Sequence, residues 1–199
     1  MAALGGGQSV SHAAEKGFTG TATFTHTVSD ESGAGTGSVT VSPGLTQTAA
    51  APADDTHAAS ANAMTDRGAT SDLRADTPPT QQPHLKFDLS GLAGAVTNAV
   101  PRLHADVNHS VGCTTQEVFD TDWTQSTNTF NYAPAASGTI KASSGRLTAN
   151  TYMEPKVTSI VPGNRQVSFA IVLINSTALR IASRETTTPP PLIVSSSGS

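Results

Sequence analysis

Cysteine is almost missing from this chain of 199 residues: Cys113 stands alone, so no disulfide can form within it. Aromatic residues make up 5% and charged residues 13%, too little charge for a polyelectrolyte type of disorder. Long apolar runs are absent too, and no segment approaches the roughly 20 apolar residues of a membrane helix. The start, Met1-Ala-Ala-Leu-Gly-Gly-Gly7, has neither a basic opening nor an apolar run, so it does not read as a secretion signal. A secreted chain would carry that signal upstream or leave by an unusual route. With a net charge of −4 and a pI near 5.8 there is no basic footprint, and nucleic acid is not an expected partner. No G-x-S-x-G, phosphate loop or zinc spacing occurs, and no acid–base pair is placed by spacing. The chain does not read as an enzyme.

What is present is threonine, serine, alanine and glycine in strand-like order. Phe18, Ala22, Phe24, His26 and Val28 alternate with Thr19, Thr21, Thr23, Thr25 and Thr27, a half-buried strand with a solvated threonine face. Asp30 to Gly35 has turn chemistry, and Ser38-Val-Thr-Val41 reads as the return strand. Residues 1–17 read as a disordered lead-in, and 43–52, rich in Pro, Ala and Thr, as a linker. Short strands are then expected around Thr56, Leu73 to Ala75, Leu85 to Leu89, Ala99 to Val107 and Thr115 to Phe119. Further strands are expected at Phe130 to Tyr132, Thr151 to Val157, Val167 to Ile174, Leu179 to Ala182 and Leu192 to Val194. Ala58 to Met64 is the one window with any helical character. Many short strands separated by turns predict an all-β sandwich or jelly roll.

The hairpin over 18–42 resembles the closing hairpin of an Ig-like repeat. The motifs Leu85-Lys-Phe-Asp-Leu-Ser-Gly-Leu92, Ala99-Val-Pro-Arg-Leu103, Asp120-Thr-Asp-Trp123 and Asn131-Tyr-Ala-Pro134 follow in order. Val167-Ser-Phe-Ala170, Ala182-Ser-Arg-Glu185 and Pro191-Leu-Ile-Val194 continue them. Together, over residues 53–196, they resemble the DNRLRE domain, which overlaps a carbohydrate-binding-module family and is similar to the disaggregatase repeat. The resemblance implies a jelly-roll β-sandwich, secreted or surface-attached, within a multidomain chain. Pro101 departs from it, standing in register with Ala99 and Leu103; it cannot donate to a ladder, so its strand must be an edge or carry a bulge. Pro155 raises the same constraint, and His57 stands where the resemblance implies tyrosine. Such departures predict a less stable copy.

Candidate binding residues follow from chemistry. Tyr132 and Tyr152 offer rings on which a sugar face can stack; Trp123 offers one too, although the resemblance favours a core anchor. Arg184 beside Glu185 can pair with a sugar carboxylate, or serve as a structural arginine tied to a nearby acid. Asp54 and Asp55 supply hard oxygens for a structural Ca²⁺, or a strand-start turn. His104 and His109, five apart, fall on opposite faces of a strand and do not form a metal pair. The expected function is a non-catalytic carbohydrate-binding or adhesive module of a bacterial or archaeal secreted or cell-surface protein. Its partner would be a polysaccharide or cell-surface glycan, with no membrane insertion. The alternative is a spacer or filament subunit that self-assembles by strand addition through residues 18–28. A third reading makes the chain a lyase or disaggregatase fragment without its catalytic part.

Overall fold

The computed structural model describes residues 21–30, 32–41 and 44–197. Its first strands are β1 (Ala22–Asp30), β2 (Gly33–Val41), β3 (Leu45–Ala50), β4 (Pro52–Ala59), β5 (Asp72–Ala75), β6 (Gln81–Asp88) and β7 (Val96–Pro101). They are followed by β8 (Leu103–Ala105), β9 (Cys113–Val118), β10 (Ala136–Ser143), β11 (Thr151–Met153), β12 (Gln166–Leu173), β13 (Leu179–Ala182) and β14 (Leu192–Ser197). Among the described residues the helical content is two 3-10 turns, Ser60–Asn62 and Thr158–Ile160. The first falls inside the window with helical character.

β6 shows how side-chain alternation sets the layers. Leu85 and Phe87 point inward and are fully buried, next to Phe169 and Val167 across the ladder with β12. The rings of Phe87 and Phe169 stack with centroids 5.5 Å apart. This ladder is the middle of a five-stranded antiparallel sheet in the order β10-β9-β12-β6-β4. Facing it are a four-stranded sheet, β11-β8-β13-β5, and a three-stranded sheet, β3-β14-β7. β7 and β8 are separated by Arg102 alone, whose N–H donates to Pro191 O at 2.8 Å. One continuous core joins all three, with Leu73, Leu103, Leu179 and Ile181 from the four-stranded sheet and Ala99, Leu192 and Val194 from the three-stranded one. The expected all-β sandwich is the observed fold.

Differences from expectation have local causes. The stretch 43–52, read as a linker, contains β3, paired with β14 from Leu192↔Ala50 to Ser197↔Leu45. Its side chains are exposed apart from half-buried Ala50, so a backbone ladder holds it and composition gave no sign. β10 was not anticipated; its register slips against β9 between Ala136 and Ala142, and Gly138 sits at φ 73°, so no alternation survives the bulges. Phe130 to Tyr132 is turn, not strand, and β11 ends at Met153, before Pro155. Pro101 closes the edge strand β7 opposite Leu192, where a missing donor is tolerated. β1 and β2 pair over nine positions as a separate two-stranded sheet. Thr23, Thr25 and Thr27 are exposed and Phe24 is half-buried, as the alternation requires. The expected lead-in, 1–17, together with Phe18 and Thr19, lies outside the described residues.

A polar clamp closes the β4 edge. Arg184 donates from its backbone N–H to Asp55 Oδ2 at 2.7 Å and from Nη1 to Ala53 O. Its Nε lies 3.4 Å from Glu185 Oε1. Asp55 is fully buried, and its Oδ1 has no hydrogen-bond partner. Burial pushes this carboxyl up to about 7, with Glu185 and Asp54 adding to the rise and Arg184 opposing it. His57 and His84, also buried, are held down to about 4, chiefly by desolvation.

Between about pH 4 and 7 the folded chain therefore keeps a proton on Asp55 that the unfolded chain has released, and this stabilisation is lost as pH rises through about 7. The imidazoles act the other way: below about 6.5 the unfolded chain binds protons that the folded chain refuses. Two imidazoles outweigh one carboxyl, so the thermal midpoint should climb from pH 4 to about 6.5. Asp55→Asn, an isostere of the neutral acid, should match wild type only below about pH 4, and exceed it by a margin that grows from pH 4 to about 7 and is larger at pH 8 than at pH 5. A variant that loses more stability at pH 8 than at pH 5 would mean that Asp55 is a native anion. Phe169→Ala should lower unfolding free energy by about 3–5 kcal/mol in urea titrations.

Candidate functional site

Because Leu85 and Phe87 face the core, His84 and Lys86 face outward from the five-stranded sheet, yet both are buried. The segment 119–135, between β9 and β10, lies across them. Lys86, 6% exposed, directs its ammonium to Asp54 Oδ2 at 2.9 Å and to Trp123 O, with the Trp123 ring centroid 5.1 Å away. A buried charge is tolerable only when paired in this way. Trp123, 5% exposed, donates from Nε1 to Ser168 Oγ at 3.0 Å and meets His84 edge-on. It is an anchor, as the resemblance implied, but of this outer layer and not of the sandwich core.

Three further contacts fix the segment. Gln125 N–H donates to Asp54 Oδ1 at 3.0 Å, and Asn131 N–H to Ala63 O at 3.1 Å. His84 Nε2 lies 3.2 Å from Pro134 O and Nδ1 3.2 Å from Gln82 O. Those two carbonyls favour a charged ring, but burial outweighs them. Gly68 admits the segment closely: a Cβ there would fall 2.6 Å from Gln125 Cβ and 2.7 Å from its carbonyl oxygen, which glycine alone avoids.

The pinned segment carries an open pocket of about 540 Å³, whose lining includes Asp120, Asp122, Trp123, Ser126, Thr127 and Tyr132. The volume is within the usual range for small-molecule sites. Tyr132 is 68% exposed at its rim and anchored through its backbone N–H to Thr129 O at 3.0 Å. Asp120 Oδ1 accepts from Asp122 N–H at 2.8 Å, and the Thr124 hydroxyl lies 3.1 Å from Ser126 Oγ and 3.0 Å from Thr127 Oγ1. Carboxylates accept hydrogen bonds from hydroxyl-rich ligands, hydroxyls exchange them in both directions, and a phenol ring covers an apolar face.

The other residues singled out by chemistry are dispersed. Tyr152, 40% exposed, has the Arg102 guanidinium 4.4 Å from its ring centroid and His104 edge-on at 5.2 Å, and Arg102 pairs with Glu154 at 2.7 Å. One face of that ring is already covered. Arg184 is occupied by the clamp at Ala53, Asp55 and Glu185. Asp54 and Asp55 lie on opposite faces of β4, one held by Lys86 and the other by Arg184 N–H. Each carboxylate thus already has a partner within the fold. His109 is buried between Thr177 O and Gly112 N–H, apart from His104. Cys113 is buried against Met153 and Ser144, and burial pushes its thiol up to about 11.

Sequence reasoning missed Asp120, Asp122, Ser126 and Thr127 as pocket residues. Asp120-Thr-Asp-Trp123 was visible as a motif, but nothing in its spacing said that the chain there leaves the sheet and folds back over it.

The chain matches no curated protein at a significant level. The model of carbohydrate-binding module family 96 matches residues 46–196, from β3 through most of β14 and including the whole of segment 119–135. The chain belongs to carbohydrate-binding module family 96.

Proposed function

We propose that this chain is a non-catalytic carbohydrate-binding or adhesive module that holds a polysaccharide or cell-surface glycan in the pocket beside Tyr132. The observation that carries this reading is an aromatic ring left 68% exposed above two carboxylates and a cluster of hydroxyls. Tyr132 is better suited than Tyr152, whose ring Arg102 covers. Family membership supports the ligand class, and the likeness of 53–196 to the DNRLRE domain and disaggregatase repeat supports a secreted or cell-surface multidomain setting in a bacterium or archaeon. An open pocket binds weakly, and neighbouring modules would raise retention by multivalency.

A second reading has its own observation. β1 and β2 pair with each other and join no other sheet among the described residues, so each keeps one ladder edge for strand addition. Self-assembly through 18–28 would then make the chain a filament or spacer unit. Sedimentation across a wide concentration range decides it: growing polymers support this reading, and a constant monomer removes it.

For the binding reading, the full chain should be retained by one class in a panel of cellulose, xylan, chitin, β-glucan and polyuronate. Tyr132→Ala should weaken that retention about tenfold, equivalent to ~1.4 kcal/mol, with an unchanged thermal midpoint. A chelator should not alter retention, because Asp54 and Asp55 do not converge. Retention by Tyr132→Ala equal to that of wild type would place the site elsewhere.

A further inference from the structure

We propose a second sugar-binding subsite, centred on Phe119 and Arg165 and back to back with the Tyr132 pocket, so that the module grips an internal stretch of a polysaccharide chain. The inference rests on the binding function proposed above and specifies its ligand as a polymer of several units, not a single sugar or a chain end.

Residues 119–122 alternate between two hollows. Phe119 and Thr121 line a pocket of about 250 Å³, together with Glu117, Arg165, Gln166 and Ser168. Asp120 and Asp122 line the Tyr132 pocket on the other side. A hydrogen bond joins their linings: Trp123 borders the Tyr132 pocket, and its Nε1 donates at 3.0 Å to Ser168, which borders the Phe119 pocket. Two hollows whose linings are joined by one hydrogen bond and by the shared stretch 119–122 lie within reach of nearby units of one chain.

The chemistry of the second hollow matches the first. Phe119 is 75% exposed. A lone exposed apolar side chain needs no explanation, but this one borders a pocket that Glu117, Thr121, Arg165, Gln166 and Ser168 also line. Arg165 is exposed and its guanidinium has no ion pair or hydrogen bond among the described residues. Its backbone is held at both ends, by N–H to Gly163 O at 2.9 Å and by its carbonyl accepting from Leu89 N–H at 3.3 Å. A guanidinium on this held backbone, the Gln166 amide and the Thr121 hydroxyl supply donors and acceptors for ring oxygens and hydroxyls. Phe119 supplies the apolar face.

The test uses the full chain with two probes: the polysaccharide that retains wild type in the panel above, and the disaccharide of the same repeat. A linked second contact raises affinity only for a ligand long enough to reach both. Phe119→Ala and Arg165→Gln should each weaken polysaccharide binding about tenfold, while disaccharide affinity stays within about twofold of wild type. Both side chains are exposed, and an unchanged thermal midpoint shows that the fold is intact. If Tyr132→Ala loses the polysaccharide but Phe119→Ala and Arg165→Gln keep it, the second subsite is overturned and the binding function stands. If no polysaccharide retains wild type, both fall together.

Discussion

The interaction on which this architecture turns is the buried ammonium of Lys86. β6 must place Leu85 and Phe87 in the core, and strand alternation then forces Lys86 to the opposite face. There it is covered, and a covered charge needs its full set of partners. Asp54 supplies one, and the carbonyl and ring of Trp123 supply the others. Meeting that demand draws segment 119–135 down onto the sheet. Once Trp123 is seated, Ser168 receives its indole N–H, and the two hollows on either side are defined. The site is thus a consequence of how a sheet buries a lysine.

The same sheet carries a second polar arrangement with a different logic. At Asp55 the chain buries a carboxyl with one oxygen bonded and one bare, and burial keeps it protonated toward neutrality. It ties β4 to Ser183–Glu185 as a neutral hydrogen-bonding group. Asp54, its neighbour on the other face, works as an anion against Lys86. Two adjacent aspartates have separate tasks because a strand turns successive side chains to opposite faces.

Much of the sandwich was legible wherever alternation survives. Leu85 and Phe87 against Lys86 and Asp88 marked β6, and the apolar run from Val167 marked β12 as central. β3 and β10 were not legible, because an exposed ladder of Thr and Ala and a strand bulged near Gly138 carry no two-residue period. Tyr132 was named from its chemistry, but its aromatic-rich neighbourhood read as strand; a turn tied to Ala63 through Asn131 is what leaves the ring exposed. Asp120, Asp122, Phe119 and Arg165 could not be grouped by sequence. Their proximity comes from the fold-back of one segment and from β12 lying beside β9, and distances along the chain do not encode it.

The most direct test of the central claim is an amide chemical-shift map of the full chain titrated with oligosaccharides of the polysaccharide that retains it. The account predicts that the largest shifts fall within 117–132, joined by Arg165 and Gln166, with the Trp123 indole N–H moving in the same titration. Shifts concentrated instead around Tyr152 and Arg102 would contradict it.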